Sequence, residues 1–304
     1  MQKKWGILGG GFGLYGYMPA LSEMTNLPIV MLERHMERAK DRPELRRYVS
    51  RIEGVKTVEE LLKISESLVI SVPPKNQQEI ILKSNFKKYK NVILEKPLGT
   101  SPGLSKKVLE KACSHADAMR IGYTFSNTKW ADYIERVKIS NEIIDIEWTF
   151  TAFHLSAGND SWKATHEEGG GVLRFYGIQL IALLSKWGVS YVESSIISLK
   201  NGESSAWVAI FHNEIGGRIN VKLDCFSSIS KFIIKTMTSE SQDFVHLESP
   251  FCGERTEYDS DERVGILKKV IESLEHSNES YYESYANVNK LWDVIEKNTV
   301  WQIS

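Results

Sequence analysis

The chain has 304 residues, 42% of them hydrophobic and 25% charged, which is enough for two domains of ordinary size, each with its own core. Its 38 Lys+Arg against 39 Asp+Glu leave a formal net charge of −1, so it lacks the basic excess that drives binding to nucleic acid or an anionic membrane. Cys113, Cys225 and Cys252 are widely spaced and form no C-x-x-C pair, so neither a disulfide framework nor a zinc site is indicated, and no metal is expected. The N-terminus lacks the apolar stretch of a signal peptide, and no window approaches the roughly 18 apolar residues of a membrane span. A cytoplasmic protein acting on a small molecule is expected.

Trp5-Gly6-Ile7-Leu8 reads as a buried strand that opens into Gly9-Gly10-Gly11-Phe12-Gly13-Leu14-Tyr15-Gly16 and then a helix from Tyr17 to Met24. A strand, a glycine turn and a helix N-terminus together make a pyrophosphate cradle, because glycine lets the backbone approach and the first helical N–H groups favour an anion. Gly11, Gly13 and Gly16 match the G-x-G-x-x-G fingerprint in letters. Gly9, Gly11 and Gly13 start where the strand ends and suit the turn better. The second strand, 27–32, ends at Glu33-Arg34. Glu33 lies about 20 residues past the glycines, where a dinucleotide fold needs a carboxylate for the ribose hydroxyls. Arg34 beside it suits adenine stacking or a 2′-phosphate, so NAD and NADP both stay open.

A charged helix is expected over 36–49, a short strand near Gly54-Val55 and a helix over 58–63. The apolar strand 67–72 is stopped by Pro73-Pro74 and followed by a helix over 77–84. The strand 91–94 runs into Glu95-Lys96-Pro97-Leu98-Gly99, then come a helix over 101–116 and a strand over 119–123. Alternating short strands and helices imply right-handed βαβ units on a parallel sheet, with ligands beyond the C-terminal strand ends. The glycine loop, Glu33, Pro73-Pro74 and Lys96 all fall at those ends.

From about Gly122 the texture changes. A helix over 129–138, a long strand over 142–153 and an apolar helix over 172–187 precede strands over 191–199, 206–211, 218–226, 231–238 and 243–248. Helices over 262–276 and 283–298 close the chain. Alternation such as Arg218-Ile219-Asn220-Val221-Lys222-Leu223 marks an antiparallel sheet with one covered and one wetter face. The expected fold class is α/β plus α+β: a Rossmann domain over 1–121 and a second domain over 122–304 on a large, mostly antiparallel sheet.

The ordered set of Pro19-Ala20-Leu21 after the glycine loop, Val72-Pro73-Pro74, Glu95-Lys96-Pro97, Trp162-Lys163 and Gly169-Gly170-Gly171 ahead of an apolar helix resembles the glucose–fructose oxidoreductase / inositol dehydrogenase / MocA-like (Gfo/Idh/MocA) family. The resemblance implies an NAD(P)-dependent oxidoreductase acting on a sugar, sugar nucleotide or polyol, and a homodimer or homotetramer formed through the C-terminal sheet. It implies a cofactor site built from Gly9, Gly11, Phe12, Gly13, Glu33, Arg34, Pro73, Pro74, Gln77, Glu95 and Lys96. Lys96 corresponds to the lysine that contacts substrate and nicotinamide ribose, and a cation beside a developing alkoxide suits hydride transfer.

One departure matters. Relatives follow the glycine triplet with an aspartate and, four residues on, a histidine that serves as acid/base. Here Phe175 and Gln179 hold those positions, and neither titrates near neutral pH. Three readings remain. Lys96 is the proton relay with Tyr176 assisting; or His154 or His166 takes the role; or the scaffold binds a dinucleotide or sugar without catalysis. Gln77, where many relatives have histidine, can hydrogen-bond the cofactor but cannot shuttle protons. Arg174 suits either an anionic substrate group or a salt bridge, and Trp162 either a wall for a sugar ring or a core position. Substrate contacts are therefore expected from Lys96, Trp162, Arg174 and Gln179.

Overall fold

The computed structural model describes residues 3–83, 86–137, 143–157, 161–238, 242–254, 261–276 and 278–303. The expected element ends at Ser84, Lys138 and Glu142 lie outside the described residues. The chain divides into two compact units, one of Met1–Leu98, Lys107–Asn127 and Gly253–Glu283, the other of Gly99–Lys106, Thr128–Cys252 and Ser284–Ser304. The main crossing falls near the expected boundary at 121/122. What that boundary did not anticipate is the return of residues 253–283 to the first unit.

In the first unit, β1 (Trp5–Leu8) leads through a π-helical turn (Gly13–Tyr17) into α1 (Met18–Met24). Then follow β2 (Ile29–Leu32), α2 (Glu33–Lys40), β3 (Ile52–Val55), α3 (Val58–Ile64), β4 (Ser67–Ile70), α4 (Pro74–Leu82), β5 (Tyr89–Leu94), α5 (Pro102–Ser114) and β6 (Ala116–Ile121). The six strands pair in the order β3-β2-β1-β4-β5-β6, all parallel. The order reverses between β1 and β4, the switch point at which such sheets bind dinucleotides. β1, β2 and β4 are buried along their full length, as strands covered on both faces must be.

Two expected helices differ in extent. The one expected over 36–49 is α2 followed by a separate 3₁₀ segment, Arg46–Arg51. Pro43 interrupts it, because proline lacks the N–H and disfavours helical geometry in the residue before it. The helix expected from Gln77 begins at Pro74, since proline's fixed φ is pre-set for the first helical position.

In the second unit, α6 (Lys129–Val137), β7 (Ile143–Thr151) and α7 (Phe153–Ala157) precede a second π-helical turn (Val172–Gly177) and α8 (Ile178–Lys186). Next come β8 (Val189–Lys200), β9 (Glu203–Asn213), β10 (Arg218–Asp224), β11 (Phe226–Met237) and β12 (Gln242–Leu247). After α9 (Val264–Glu272), which belongs to the first unit, α10 (Asn278–Lys297) leads to β13 (Thr299–Ile303). The sheet order is β12-β11-β7-β10-β9-β8-β13. Four pairings are antiparallel, and β7/β10 and β8/β13 are parallel. One face is buried through residues such as Ile144, Ile146, Trp207, Phe211, Val221, Leu223 and Phe232. The other is half polar, with Glu147 bridging Lys222 (3.0 Å) and Lys231 (2.9 Å) across strands. No helix among the described residues is long and apolar enough to cross a membrane.

The return segment belongs to the first unit for a packing reason. Val264, Leu267, Val270 and Ile271 of α9 are buried in one cluster with Leu14, Tyr17, Met18 and Leu21 of the first helix and Ile7, Val69 and Ile93 of the sheet. Full burial of each such side chain contributes about 1.5–3 kcal/mol.

Candidate active site

Gly9 leaves β1 at φ +133, and a Cβ there would overlap the Ser71 carbonyl at the end of β4. A side chain at residue 10 would collide with the His35 ring, whereas one at Gly11 would meet nothing within 4 Å. Gly11 therefore borders open space at the switch point, while its own carbonyl accepts from Leu14 N (2.8 Å) to start the helix. The N–H groups of a first helical turn have no partner within their helix, so they suit an anion laid over Gly11. Gly9 to Gly11 make the turn. Gly13 and Gly16 lie within the π-helical turn, and Gly16 leaves room for the Phe12 ring.

Glu33 opens α2 and is exposed; its stem lies against Gly54 of β3. Arg34 is exposed beside it. Between this pair and the glycine loop lies a residue the motif reading passed over. His35 is buried, its Nδ1 has no partner, and burial followed by Arg34 and Arg38 lowers its pKa, so it is neutral at pH 7. An open cradle at Gly11, an exposed carboxylate at the end of β2 and an orphaned ring nitrogen against the loop together fit the adenosine and pyrophosphate half of a dinucleotide.

Pro73 caps α4 and Pro74 is its first residue. Gln77, expected among the cofactor contacts, turns its amide nitrogen to the chain itself, with Oε1 left without a partner. Its side chain is fully buried, and Nε2 donates to the carbonyls of Glu95 (2.8 Å), Pro97 (3.3 Å) and Leu98 (3.2 Å). The amide instead pins the turn that carries Lys96, a role open to it because α4 starts early and aims Gln77 inward. Lys96 follows β5 and is half-buried, with a cis bond to Pro97. Glu95 accepts from the Tyr17 hydroxyl (2.7 Å). Burial pushes the Glu95 carboxyl up, against the opposing pull of Lys96, Tyr17 and Arg263. Arg263 binds Asp261 through Nε (2.8 Å) and Nη2 (2.7 Å) and lies 4.1 Å over the Phe12 ring. Tyr17 and Arg263 were missed by motif reading. Tyr17 looked like the opening of an ordinary helix, and nothing near Arg263 in sequence signals a partner so far upstream.

In the second unit, Gly171 has φ +79 and its N–H donates to the Lys163 carbonyl (2.6 Å). A side chain at Gly170 would overlap the Trp162 carbonyl. The triplet thus lets the turn at Trp162-Lys163 lie directly on the helix start, and Val172 N is capped by Ser204 Oγ (3.0 Å). Beyond it, Phe175 packs edge-on against Trp162 (5.2 Å) and Tyr176 (4.7 Å), with Lys163 Nζ 5.2 Å over its ring. Tyr176 also meets Phe150 (4.8 Å) and Trp148 (6.1 Å). Burial, then the neighbouring Cys225, raises the Tyr176 phenol far above its usual value. It stays protonated and can donate a hydrogen bond, but the phenolate expected to help relay protons is disfavoured. Gln179 is buried.

Arg174 is not available to an anion. Nε and Nη2 clasp Glu296 (2.6 and 2.8 Å), and Nη1 donates to the carbonyls of Thr100 (2.6 Å) and His166 (2.8 Å). The salt-bridge alternative is the one observed. His154 is buried with Nε2 3.3 Å from Glu203, and burial, then Arg174, lowers the pKa of His166.

A six-stranded parallel sheet with an open glycine cradle at its switch point defines a dinucleotide-binding domain. Residues 3–123 match the family model described as an oxidoreductase family with an NAD-binding Rossmann fold, GFO_IDH_MocA. The match covers the nucleotide-binding part of the chain and agrees with what the motifs implied; the cofactor is NAD or NADP. No curated protein matches the chain by sequence. Among solved structures, the chain is similar to KijD10, a 3-ketoreductase from Actinomadura kijaniata in complex with NADP and TDP-benzene, at 13% identity over 100% of both chains (TM-score 0.71). It is also similar to a myo-inositol dehydrogenase from Corynebacterium glutamicum, at 13% identity over 98% of this chain and 97% of that one (TM-score 0.73). GenD2 from gentamicin A biosynthesis, in complex with NAD, matches at 14% identity over 98% and 94% (TM-score 0.70). At these identities the likeness is one of fold.

Proposed function

We propose that the protein transfers hydride between NAD(P) and a hydroxyl or carbonyl carbon of a sugar, sugar nucleotide or polyol. The observation that carries this reading is Lys96. It follows β5 in the nucleotide-binding sheet, on a turn pinned by the buried Gln77 amide and backed by the Tyr17–Glu95 hydrogen bond. Bound NAD(P) supplies the hydride acceptor or donor. The chain's own part is to hold the pyrophosphate over Gly11, orient the adenosine ribose at Glu33 and keep a proton on Lys96 Nζ for the substrate oxygen. Tyr176, fixed in its protonated form, adds a hydrogen-bond donor rather than a second relay. The ketoreductase and dehydrogenase names of the structural neighbours agree with this chemistry. We also propose self-association through the half-polar face of the large sheet, where Tyr191, Val208 and Phe244 are exposed.

Titration with NADH and NADPH, followed by nicotinamide fluorescence, tests the binding half; no binding of either at millimolar concentration would sink it. Lys96→Ala tests the chemistry and is expected to lower turnover at saturating cofactor by about 10²–10⁴-fold, the usual contribution of general acid–base catalysis. The aromatic enclosure of Phe175 supports a second reading, a dinucleotide- or sugar-binding protein without catalysis. That reading is abandoned if any polyol or keto-sugar gives cofactor turnover that Lys96→Ala removes.

A further inference from the structure

NAD and NADP differ only by a phosphate on the 2′ oxygen of the adenosine ribose, so the choice between them falls to the charges at the end of β2 and not to the glycine cradle. Glu33 stands there with no loop to carry it away, because Leu32 closes β2 and Glu33 opens α2. Its stem is seated on Gly54 of β3, where a Cβ would stand 3.1 Å from Glu33 Cγ. Among the described residues no cation pairs with its exposed carboxylate. The start of α2 has no side-chain cap, and Glu33 is the acid in its first turn, so the positive end of that helix already has its negative charge.

The cations nearby are turned to other groups. Helix positions i and i+4 share a face whereas i and i+1 do not, so Arg34 and Arg38 lie together on a face turned from Glu33. Arg38 Nη1 is 3.0 Å from where a Gly10 Cβ would stand, which puts that face over the glycine turn. Neither guanidinium is paired with a carboxylate among the described residues, and two of them match the two negative charges of a diphosphate. His35 packs on Gly10 between them and adds no charge at pH 7, since burial, then Arg34 and Arg38, lowers its pKa. The third cation of α2, Lys40, is held by Glu37 (2.7 Å). Of the two cations stacked on rings of the glycine-turn segment, Arg42 over Tyr15 meets Glu44 (3.6 Å) and Arg263 over Phe12 meets Asp261 (2.7 Å).

We propose that Glu33 selects NAD(H) over NADP(H): it accepts hydrogen bonds from the ribose hydroxyls and repels a 2′-phosphate, while Arg34 and Arg38 serve the diphosphate common to both. A phosphate dianion set beside an unneutralised carboxylate meets Coulomb repulsion and also removes the hydroxyl donor that the carboxylate would use. The proposal rests on the dinucleotide reading of this unit and names the residue that discriminates within it.

The test titrates the full-length protein with NADH and with NADPH at neutral pH and fixed ionic strength, read by nicotinamide fluorescence. NADH is expected to bind about tenfold or more tighter than NADPH, the ratio set by one hydrogen bond to a charged group. Glu33→Gln keeps the side-chain length and removes the charge; it should tighten NADPH, weaken NADH and bring the two affinities together. Arg38→Met should weaken both cofactors alike. Thermal melts confirm that each variant folds. Equal affinities or an NADPH preference in the parent protein overturn the proposal, as does an NADH preference that Glu33→Gln leaves unchanged. A loss confined to NADPH in Arg38→Met would set the 2′-phosphate on that guanidinium and overturn it too. Binding of neither cofactor would take the dinucleotide reading down with the proposal, whereas equal binding of both removes the proposal alone.

Discussion

The turn that carries Lys96 and the helix start that carries Phe175 hold the residues the sequence singled out for catalysis, and they are built in opposite ways. Around Lys96 the neighbours are polar: a buried carboxylate, a tyrosine hydroxyl bonded to it, an arginine within reach of its charge and an amide that gathers three carbonyls. Around Phe175 and Tyr176 they are aromatic, with Trp162, Phe150 and Trp148 meeting the two rings. A polar network in low dielectric can hold and direct a proton, whereas an aromatic cage raises the cost of any charge inside it. The proposed chemistry accordingly rests on the turn that carries Lys96 rather than on the rings around Tyr176.

The contrast can be broken at its strongest point first. Gly9→Val places a β-branched side chain at φ +133 against the Ser71 carbonyl, so NAD(P)H binding should be lost altogether. Backbone strain of about 1–3 kcal/mol should also appear as a lower melting temperature. Retained cofactor affinity would show that the cradle lies elsewhere. Arg174→Ala tests whether the second unit uses that cation structurally. It leaves Glu296, only 19% exposed, with the Trp292 indole but no cation, and should cost about 3 kcal/mol in urea unfolding. A variant that unfolds like the parent yet loses substrate affinity would return Arg174 to the substrate.

Tyr17→Phe removes the hydroxyl from Glu95 and should destabilise by about 1–3 kcal/mol, the range for a buried group left unsatisfied. Its companion, Glu95→Gln, carries a sign. Because the folded-state pKa of Glu95 is raised, the folded protein holds a proton that the unfolded chain releases. The stability this group contributes is full below the unfolded carboxylate pKa and declines as pH rises toward the raised value. Glutamine should flatten that decline, read from melting temperatures across pH; an unchanged slope would mean that Glu95 does not titrate in isolation. The smallest effect is expected at Tyr176→Phe, a loss in turnover of about tenfold, the ~1.4 kcal/mol equivalent of one hydrogen bond. A loss of about 10²–10⁴-fold would instead make the phenol a general acid and weaken the contrast.

Much of this was legible in the chain. The strands of the parallel sheet, the glycine loop, the prolines and the lysine turn follow from local pattern, because a doubly covered strand must be apolar and a dinucleotide turn needs its glycines. The helix expected over 36–49 failed at Pro43, a local signal that was present and overridden by the surrounding charge pattern. The β13 strand went unseen, since five residues at the end of a long helix carry little pattern until β8 pairs with them. Gln77 was read by analogy as a cofactor contact, and Arg174 was left open between an anionic substrate group and a salt bridge; the Gln77 amide gathers backbone carbonyls and Arg174 clasps Glu296. Such roles depend on where a side chain points, which residue type does not encode.

By itself the sequence determined the dinucleotide fold of the first unit and a mostly antiparallel sheet in the second, because periodicity, glycine spacing and side-chain identity are local properties. Only the tertiary structure decided that Tyr17 and Arg263 converge on Glu95 and that Tyr176 is caged. It alone brought Trp162, Glu203 and Trp301 to one cavity. Those are long-range juxtapositions, fixed when the apolar face of α9 packs on the first helix and β13 pairs with β8, and no window along the chain contains both partners.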